Sequence, residues 1–262
     1  MNRISMKQNN NIRKRSVNSN FLKNRLELNK KRGKINLNKF ILEKLKDLNP
    51  KSILDLGCGR GMQVEVLNGK FPNAKIVGVD ISKESINYVK SLLADKKNIS
   101  FYSDSIENYL LNNRTKFDLI ISSYALYYAK NLKKVESNIK RSLTKNSAFC
   151  VVGPYGKNNK ELFSLVGYNN ISPYVLYTSR DFMMDIVNSM IKNFEQINIA
   201  TAINPIKYFS IEEVINYWKS STFFKESLYN SVYKKLKKHF QENNTFIVNK
   251  YIMLCLGKNI KK

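Results

Sequence analysis

The chain has 262 residues, 43% of them hydrophobic, which is enough for one large α/β domain or for a core domain with an attached cap. The formal net charge of +25 favours an anionic partner such as a nucleic acid, a phosphorylated metabolite or a membrane surface, although Lys is abundant throughout the chain. No apolar run approaches the ~20 residues of a membrane span, and the N-terminus lacks the apolar region of a secretory signal, so neither is predicted.

The N-terminal part of the chain is polar and basic. Residues 1–34 contain eleven Lys or Arg residues and a single acidic residue, Glu27. Low hydrophobicity predicts that residues 1–36 form a flexible segment. The next segment, Leu37–Leu48, carries one apolar stripe and is followed by Asn49-Pro50, which predicts a helix that ends there.

Short apolar runs then alternate with amphipathic segments. Three helices are predicted: one begins near Gln63, one begins after Ser82, and one extends from Leu132 to Leu143. The predicted strands are Ile53–Leu56, Lys75–Val79, Ile99–Tyr102, Phe117–Ser122 and Ala148–Val152. This alternation predicts a parallel sheet with helices on both faces, which binds its ligand at the carboxyl ends of the strands.

The pattern is less regular after Gly156. We predict a strand at Phe194–Ala200, a final strand at Phe246–Leu256, and a helix after the capping-box sequence Ser210–Glu213. Further helices are predicted at Leu162–Val166, at Met183–Ile191 with a start at Ser179 or Asp181, and at Lys225–Phe240.

The segment ILDLGCGRG places three glycines, Gly57, Gly59 and Gly61, between the first strand and the following helix. Such a turn lets a ligand lie against bare backbone N–H groups. The dinucleotide fingerprint Gly-x-Gly-x-x-Gly would require glycine at position 62, where the chain has Met62. The turn alone is also compatible with a purely structural role.

Acidic residues accompany the next strands. Asp80 ends the second strand, where a carboxylate can accept hydrogen bonds from both hydroxyls of a ribose. Asp104 follows the third strand, where it can meet an adenine edge or cap the helix that begins near Ile106. Asp118 opens the fourth strand and is expected to belong to the same constellation.

These segments together resemble the class I S-adenosylmethionine-dependent methyltransferases, whose four successive motifs are matched in order by ILDLGCGRG, IVGVDIS, FYSDSIE and FDLIISSYALYY. The resemblance is strong over residues 37–155 and weaker in the tail, at FSIEEVINYWKSSTFF and NKYIMLCLGK. It implies an α/β, Rossmann-like fold with a seven-stranded, mostly parallel sheet of order 3-2-1-4-5-7-6, in which the last strand is antiparallel. Helices would cover both faces, and residues 37–262 would form the methyltransferase domain, with helical cap insertions at roughly 156–192 and 205–243. The resemblance also implies that the basic segment 1–36 folds over the cofactor as a lid.

The resemblance also implies roles for individual residues. The three glycines would pass the methionyl part of S-adenosylmethionine, Asp55 would meet its amino group through water, and Asp80 would hold the ribose. Ile81 would pack on the adenine, although ordinary packing explains it equally well, and Ser122 and Ser123 would line the floor near the methyl group. The implied cofactor-binding set is Asp55, Gly57, Cys58, Gly59, Gly61, Asp80, Ile81, Asp104, Ser105 and Ser122.

A general base is not evident. Small-molecule relatives often carry a histidine after the fourth strand, where this chain has Tyr127 and Tyr128. Tyr128, and less so Tyr127, are candidates for proton transfer or for walls of the acceptor pocket. The single histidine, His239, lies in the predicted basic helix. An acceptor oxygen that is already anionic, as in a phosphate, phosphoramidate or carboxylate, needs no strong base.

The loop after the fifth strand supplies the remaining candidates. Ser123, Tyr155, Asn158, Asn159 and Arg180 are candidate substrate contacts, and the two asparagines are alternatively caps of a helix.

The three cysteines, Cys58, Cys150 and Cys255, are not at metal-ligand spacing, which predicts free thiols in the cytoplasm and no metal site. The sequence therefore favours a small-molecule O-methyltransferase that converts S-adenosylmethionine into S-adenosylhomocysteine, with a small anionic or sugar-linked acceptor, as in surface-polysaccharide or capsule tailoring. An RNA methyltransferase and a non-catalytic protein that binds the cofactor remain the alternatives. The acceptor and the oligomeric state are left open.

Overall fold

The computed structural model describes residue 15 and residues 32–261 of the chain, so the predicted flexible lid at 1–36 lies largely outside the described residues. The chain divides into two compact units. The first unit consists of Leu37–Gly153, Met183–Thr201 and Met253–Lys262, and the second unit includes Pro154–Phe182 and Ala202–Ile252. The expected cap insertions at 156–192 and 205–243 overlap the second unit, and their role as a cap stays a prediction.

Seven strands form one sheet in the order β3-β2-β1-β4-β5-β7-β6. Strands β1 to β5 pair in parallel, whereas β7 runs antiparallel to both β5 and β6. The expected Rossmann-like α/β fold and its strand order are therefore confirmed. The strands are β1 Ser52–Leu56, β2 Lys75–Asp80, β3 Ile99–Ser103, β4 Phe117–Ser123, β5 Leu143–Pro154, β6 Phe194–Tyr208 and β7 Phe246–Ile260.

Helices separate the parallel strands, and many begin at a polar side chain that accepts a hydrogen bond from the first turn. Ser82, Ser105 and Asn131 accept from the amides of Ser85, Asn108 and Lys134, respectively. In the described part the helices are α1 Leu37–Lys44, α2 Met62–Lys70, α3 Lys83–Leu92, α4 Ile106–Asn112, α5 Leu132–Ser142, α6 Lys160–Val166, α7 Pro173–Arg180, α8 Phe182–Asn193, α9 Ile211–Ser220 and α10 Tyr229–Glu242.

The centre of the sheet is the most completely buried part of the first unit. Residues Ile53, Leu54 and Leu56 of β1 and Leu119 to Ile121 of β4 are fully buried. A strand buried on both faces reads as a continuous apolar run, which is why both strands were recognisable from sequence. Their carboxyl ends are thereby held rigidly, and the candidate site is built there. None of the helices in the described residues is both long and apolar enough to span a membrane.

Several predicted boundaries were wrong. Strand β5 begins at Leu143 rather than Ala148, because Leu143 pairs with Phe117 across an irregularity in the β4–β5 register. Strands β6 and β7 continue to Tyr208 and Ile260, well past their predicted ends. Helix α1 ends at Lys44, four residues earlier than predicted, and the chain continues as a turn.

The region after β5 holds one helix that was not predicted from the sequence. Helix α7 begins after Ser172, whose hydroxyl accepts from the amide of Val175, and Pro173 occupies its first turn. Ser179, a predicted helix start, lies inside α7 and is buried. The Ser-Pro pair was the available signal.

Helix α9 is capped by Ser210 and Glu213 as predicted, except that Glu213 reaches the amide before the N-cap residue rather than that of Ser210 itself. Ser210 accepts from the amide of Glu213, and the Glu213 carboxylate accepts from the amide of Phe209 at 2.7 Å.

Candidate functional site

The glycine turn follows the carboxyl end of β1 and has left-handed backbone geometry at each glycine. The φ angles are 83° at Gly57, 53° at Gly59 and 80° at Gly61. L-residues with a side chain rarely adopt this region, so glycine is needed at these positions for conformational reasons alone. The turn is fixed by the amides of Gly57 and Cys58, which donate to the Val79 carbonyl at 2.7 and 3.0 Å.

The space around two of these glycines is taken by the protein itself. A Cβ added at Gly57 would lie 2.1 Å from the Cβ of Ala125, and one added at Gly61 would lie 2.1 Å from a methyl group of Val89. Both glycines are therefore explained by packing, against the segment after β4 and against α3, without any ligand.

The Asp80 carboxylate connects the turn to the end of β2. One oxygen accepts from the amide of Gly59 at 2.9 Å, and the other accepts from the amide of Ser82 at 2.8 Å. Burial raises the pKa of Asp80, and these two amide hydrogen bonds oppose the rise. Each carboxylate oxygen keeps a free lone pair, so the group can still accept from a ligand hydroxyl while it holds the glycine turn.

Asp55 is the most unusual charged residue in the first unit. Its side chain is only 1% exposed, and its Oδ2 has no hydrogen-bond partner among the described residues. Burial, followed by the nearby Asp80 charge, raises the pKa of Asp55 to about 8. A buried carboxylate without a partner is the group that a cationic ligand amine would satisfy.

Two large side chains that follow Asp80 in the chain are exposed. Ile81, directly after Asp80, is 61% exposed, which is unusual for isoleucine at the end of a buried strand and suits a flat ring above it. Tyr88 of α3 is also exposed, and the Arg60 guanidinium lies 3.7 Å from its ring centroid. The Arg60–Tyr88 stack was missed from sequence, where no spacing rule joins a turn residue to the middle of the next helix.

Asp104 and Ser105 lie where β3 ends. Ser105, not Asp104, caps α4 with its hydroxyl. The Asp104 carboxylate accepts from the Ser105 amide at 2.8 Å and from the Asn108 side-chain amide through both oxygens. The alternative in which Asp104 caps the helix is therefore wrong, and a backbone role of Ser105 toward adenine stays a prediction.

Asp118 does not belong to this constellation. Because it opens β4 rather than ending it, its carboxylate lies at the start of the parallel strands, where it accepts from Lys51, Ser52 and Thr144. Partial burial acts to raise the pKa of Asp118, but these hydrogen bonds outweigh it and lower the pKa below its ordinary value. Asp118 thus ties β1, β4 and β5 together at the opposite edge of the sheet from Asp55.

The end of β4 holds the remaining candidates of the first unit. Ser122 is fully buried, and its hydroxyl donates to the Leu56 carbonyl at 2.8 Å, so it positions the end of β1. Ser123 is half-buried at the strand end. Tyr127 and Tyr128 form a short 3-10 turn, are half-buried, and have ring centroids 4.6 Å apart. Cys58 is buried, and this burial raises the pKa of its thiol further above neutrality.

The candidate substrate contacts after β5 lie in the second unit. Asn158 is buried, and its side-chain oxygen accepts from the Tyr251 amide at 3.1 Å. Tyr155 packs edge-on against Tyr251, with ring centroids 5.9 Å apart. Arg180 is exposed at the end of α7, and its carbonyl accepts from the Gly156 amide. The side-chain oxygen of Asn158 therefore joins the loop to β7.

Asn159 precedes α6 but does not cap it through its side chain. Its φ is 59°, and its side-chain oxygen instead accepts from the ammonium of Lys250, a residue that was not singled out from the sequence. Lys250 lies in an apolar strand, where a lone lysine gives no motif signal.

Comparison with known proteins fits this geometry. Residues 48–198 match the family described as "Methyltransferase domain", and this match covers more than half of the chain. The chain belongs to the methyltransferase domain family. It is a class I S-adenosylmethionine-dependent methyltransferase, as the four motifs indicated, and S-adenosylmethionine is its cofactor.

Individual relatives of this methyltransferase are distant. It is 26% identical over 221 residues to malonyl-[acyl-carrier protein] O-methyltransferase 2 of Ilyobacter polytropus, a match that spans 79% of this chain and 83% of the relative. Among solved structures, the YcgJ protein of Bacillus subtilis aligns with a TM-score of 0.59 at 14% identity, over 86% of this chain and 98% of that chain. A phosphoethanolamine N-methyltransferase of Haemonchus contortus, crystallised with S-adenosylhomocysteine, aligns with a TM-score of 0.53 at 16% identity, over 85% and 52% of the two chains. These two structures establish the fold alone.

Proposed function

We propose that this methyltransferase forms a methyl ester on a carboxylate of a small acyl group, of the malonyl-thioester kind. The relative from Ilyobacter polytropus supports an O-methyltransferase, and its name favours a carboxylate over the polysaccharide and phosphoramidate acceptors considered from sequence. The acceptor oxygen in such a group is already ionised at neutral pH. The site would then need to orient this oxygen but would not need to deprotonate it.

The observation that carries this proposal is the lack of an available imidazole. The chain has one histidine. His239 lies in α10 with Nε2 2.9 Å from the Thr245 carbonyl, and its ring contacts those of Phe240 and Phe246 edge-on. The segment after β4 offers tyrosines instead, and the ordinary pKa of tyrosine, near 10, makes it a poor base at neutral pH.

The first unit supplies residues that suit the cofactor. S-adenosylmethionine, when bound, supplies a methyl group made electrophilic by its sulfonium. We infer that the Asp55 carboxylate binds the cofactor's amino group, since its Oδ2 is buried and lacks a partner in the described part of the chain. Asp80 would accept from the ribose with the lone pairs that Gly59 and Ser82 leave free, and exposed Ile81 would cover one face of the adenine.

The test is a comparison of two acceptors that differ only in the carboxylate. Purified protein with S-adenosylmethionine would be given malonyl-pantetheine and acetyl-pantetheine, with formation of S-adenosylhomocysteine and of methyl ester followed by mass spectrometry. We expect transfer to the malonyl thioester and none to the acetyl thioester. Transfer to RNA or to a phosphorylated sugar, with neither thioester accepted, would show that the proposed acceptor is wrong.

A further inference from the structure

The second unit contains a buried ammonium group without a carboxylate partner. The Lys250 side chain in β7 is 9% exposed. Its Nζ donates to the Tyr217 hydroxyl at 2.5 Å and to the side-chain oxygen of Asn159, and it lies 4.2 Å from the centroid of the Tyr217 ring. Among residue 15 and residues 32–261, no carboxylate lies within salt-bridge distance of this nitrogen.

Burying a cation among neutral oxygens is unfavourable. The loss of hydration of an ammonium is recovered only when the charge is paired or fully hydrogen-bonded. A lysine ammonium has three donors, and the structure gives two of them partners within the described residues. One donor thus lacks a partner among these residues, and the positive charge is offset by the Tyr217 ring and by neutral oxygens rather than by an anion.

The acidic residue two positions after Asn159 is Glu161, in the first turn of α6, and its carboxylate is engaged elsewhere. Both oxygens of Glu161 are engaged by Asn249, one by its backbone amide at 3.2 Å and one by its side-chain amide at 2.8 Å. Asn159, which contacts Lys250, has a left-handed backbone with a φ of 59°, a conformation that non-glycine residues seldom adopt. The local structure therefore directs a neutral oxygen, not the adjacent carboxylate, at the ammonium.

A second buried group, which packs against Tyr217, also lacks a hydrogen-bond partner within the described residues. The ring of Tyr208 lies 5.6 Å from that of Tyr217, and the Tyr208 hydroxyl is buried with no hydrogen-bond partner in the described part of the chain. Burial strongly raises the pKa of Tyr208, so its hydroxyl stays protonated and can donate. Lys250 and Tyr208 both pack against the Tyr217 ring, and a cation with a spare donor together with an unpaired hydroxyl donor is complementary to a small oxyanion.

We propose that Lys250, with the hydroxyls of Tyr217 and Tyr208, forms a binding site for a small carboxylate. The carboxylate has two sources, the acceptor's own acyl group or a free small acid. The first source rests on the proposed function, whereas the second is independent of it.

The experiment separates binding from turnover. Malonate would be titrated by calorimetry into the wild-type protein, into Lys250→Met, which keeps the side-chain volume without the charge, and into Lys237→Met, which removes an exposed lysine of α10. Tyr208→Phe, which removes only the unpaired hydroxyl, would be titrated as a second variant. We expect the affinity for malonate to fall at least about tenfold in Lys250→Met and by a smaller factor in Tyr208→Phe, with Lys237→Met unchanged.

The two sources are then distinguished with turnover data. If Lys250→Met also raises KM for the malonyl thioester about tenfold while its affinity for S-adenosylmethionine is unchanged, the site takes the acceptor carboxylate. If malonate binding is lost but KM for the acceptor is unchanged, the site takes a free acid. Equal malonate affinity in wild type and both site variants, or an equal loss in Lys237→Met, would overturn the proposal whether or not the protein methylates a thioester.

Discussion

Replacing Asp55 with asparagine tests the electrostatics of the site without any substrate. The wild-type carboxyl group has a pKa of about 8 in the folded protein, against an ordinary value of 3.8. Because the folded-state pKa is raised, the folded state holds a proton that the unfolded state releases between these two values. The stabilising contribution is complete below about pH 4 and is lost as the pH rises through about 8.

The size of this effect follows from proton linkage. One group that is protonated only in the folded state lowers the free energy of unfolding by about 1.4 kcal/mol for each unit by which the pH rises. Between pH 5 and pH 8 the wild type therefore loses about 4 kcal/mol of stability from Asp55 alone. The asparagine side chain of the Asp55→Asn variant does not titrate, and its unpartnered amide has a pH-independent cost of about 1–3 kcal/mol.

The assay is urea unfolding of wild type and Asp55→Asn at several pH values, with the difference between the two taken at each pH so that all other titrating groups cancel. We expect this difference to move in favour of the variant by about 4 kcal/mol from pH 5 to pH 8, while the variant binds S-adenosylmethionine more weakly. Parallel stability curves for the two proteins would refute the reasoning, because they would show that Asp55 is already ionised in the ligand-free fold.

The remaining predictions concern the cofactor turn and the acceptor side. Asp80→Asn should weaken S-adenosylmethionine binding at least about tenfold by calorimetry, because it replaces a charged hydrogen-bond acceptor. The control Asp118→Asn, at the other edge of the sheet, should leave this affinity unchanged. Equal effects of the two variants would show that Asp80 does not bind the cofactor. Gly57→Ala should destabilise the protein by more than about 2 kcal/mol in urea unfolding, since the backbone φ is 83° and the new Cβ would lie 2.1 Å from the Ala125 side chain. The control Gly69→Ala, in a helix with open space around it, should stabilise the protein by about 0.5–1 kcal/mol. Similar changes in stability for the two variants would contradict the turn geometry. Tyr128→Phe should retain most of its kcat in the malonyl-thioester assay, and a loss of turnover with intact binding would show that the hydroxyl takes part in proton transfer.

The centre of the sheet could be predicted from sequence because β1 and β4 are buried on both faces. Runs such as Leu119 to Ile121 and the capping residue Ser82 carry local signals that tertiary structure does not override. The extent of β6 was harder to predict because this long edge strand lacks a continuous apolar run. In β6, residues 195–203 are mostly exposed, so the strand continues to Tyr208 without the apolar alternation that would mark it.

Part of the candidate site could also be predicted from the sequence. Asp55 and Asp80 lie at the carboxyl ends of β1 and β2 and the glycines follow β1, so topology alone brings them to one edge of the sheet. Asp118 was misassigned because it sits at the start of its strand, where the same rule places it at the opposite edge. No sequence pattern indicated Lys250, because its hydrogen-bond partners, Asn159 and Tyr217, are distant from it in sequence.

The crystal structure of the complex with S-adenosylhomocysteine tests the central claim most directly. We predict that the ribose hydroxyls lie within hydrogen-bonding distance of the Asp80 carboxylate and that the amino group reaches Asp55 directly or through one water. A nucleoside bound elsewhere, with Asp55 still without a partner and the edge beside Gly59 empty, would contradict the account.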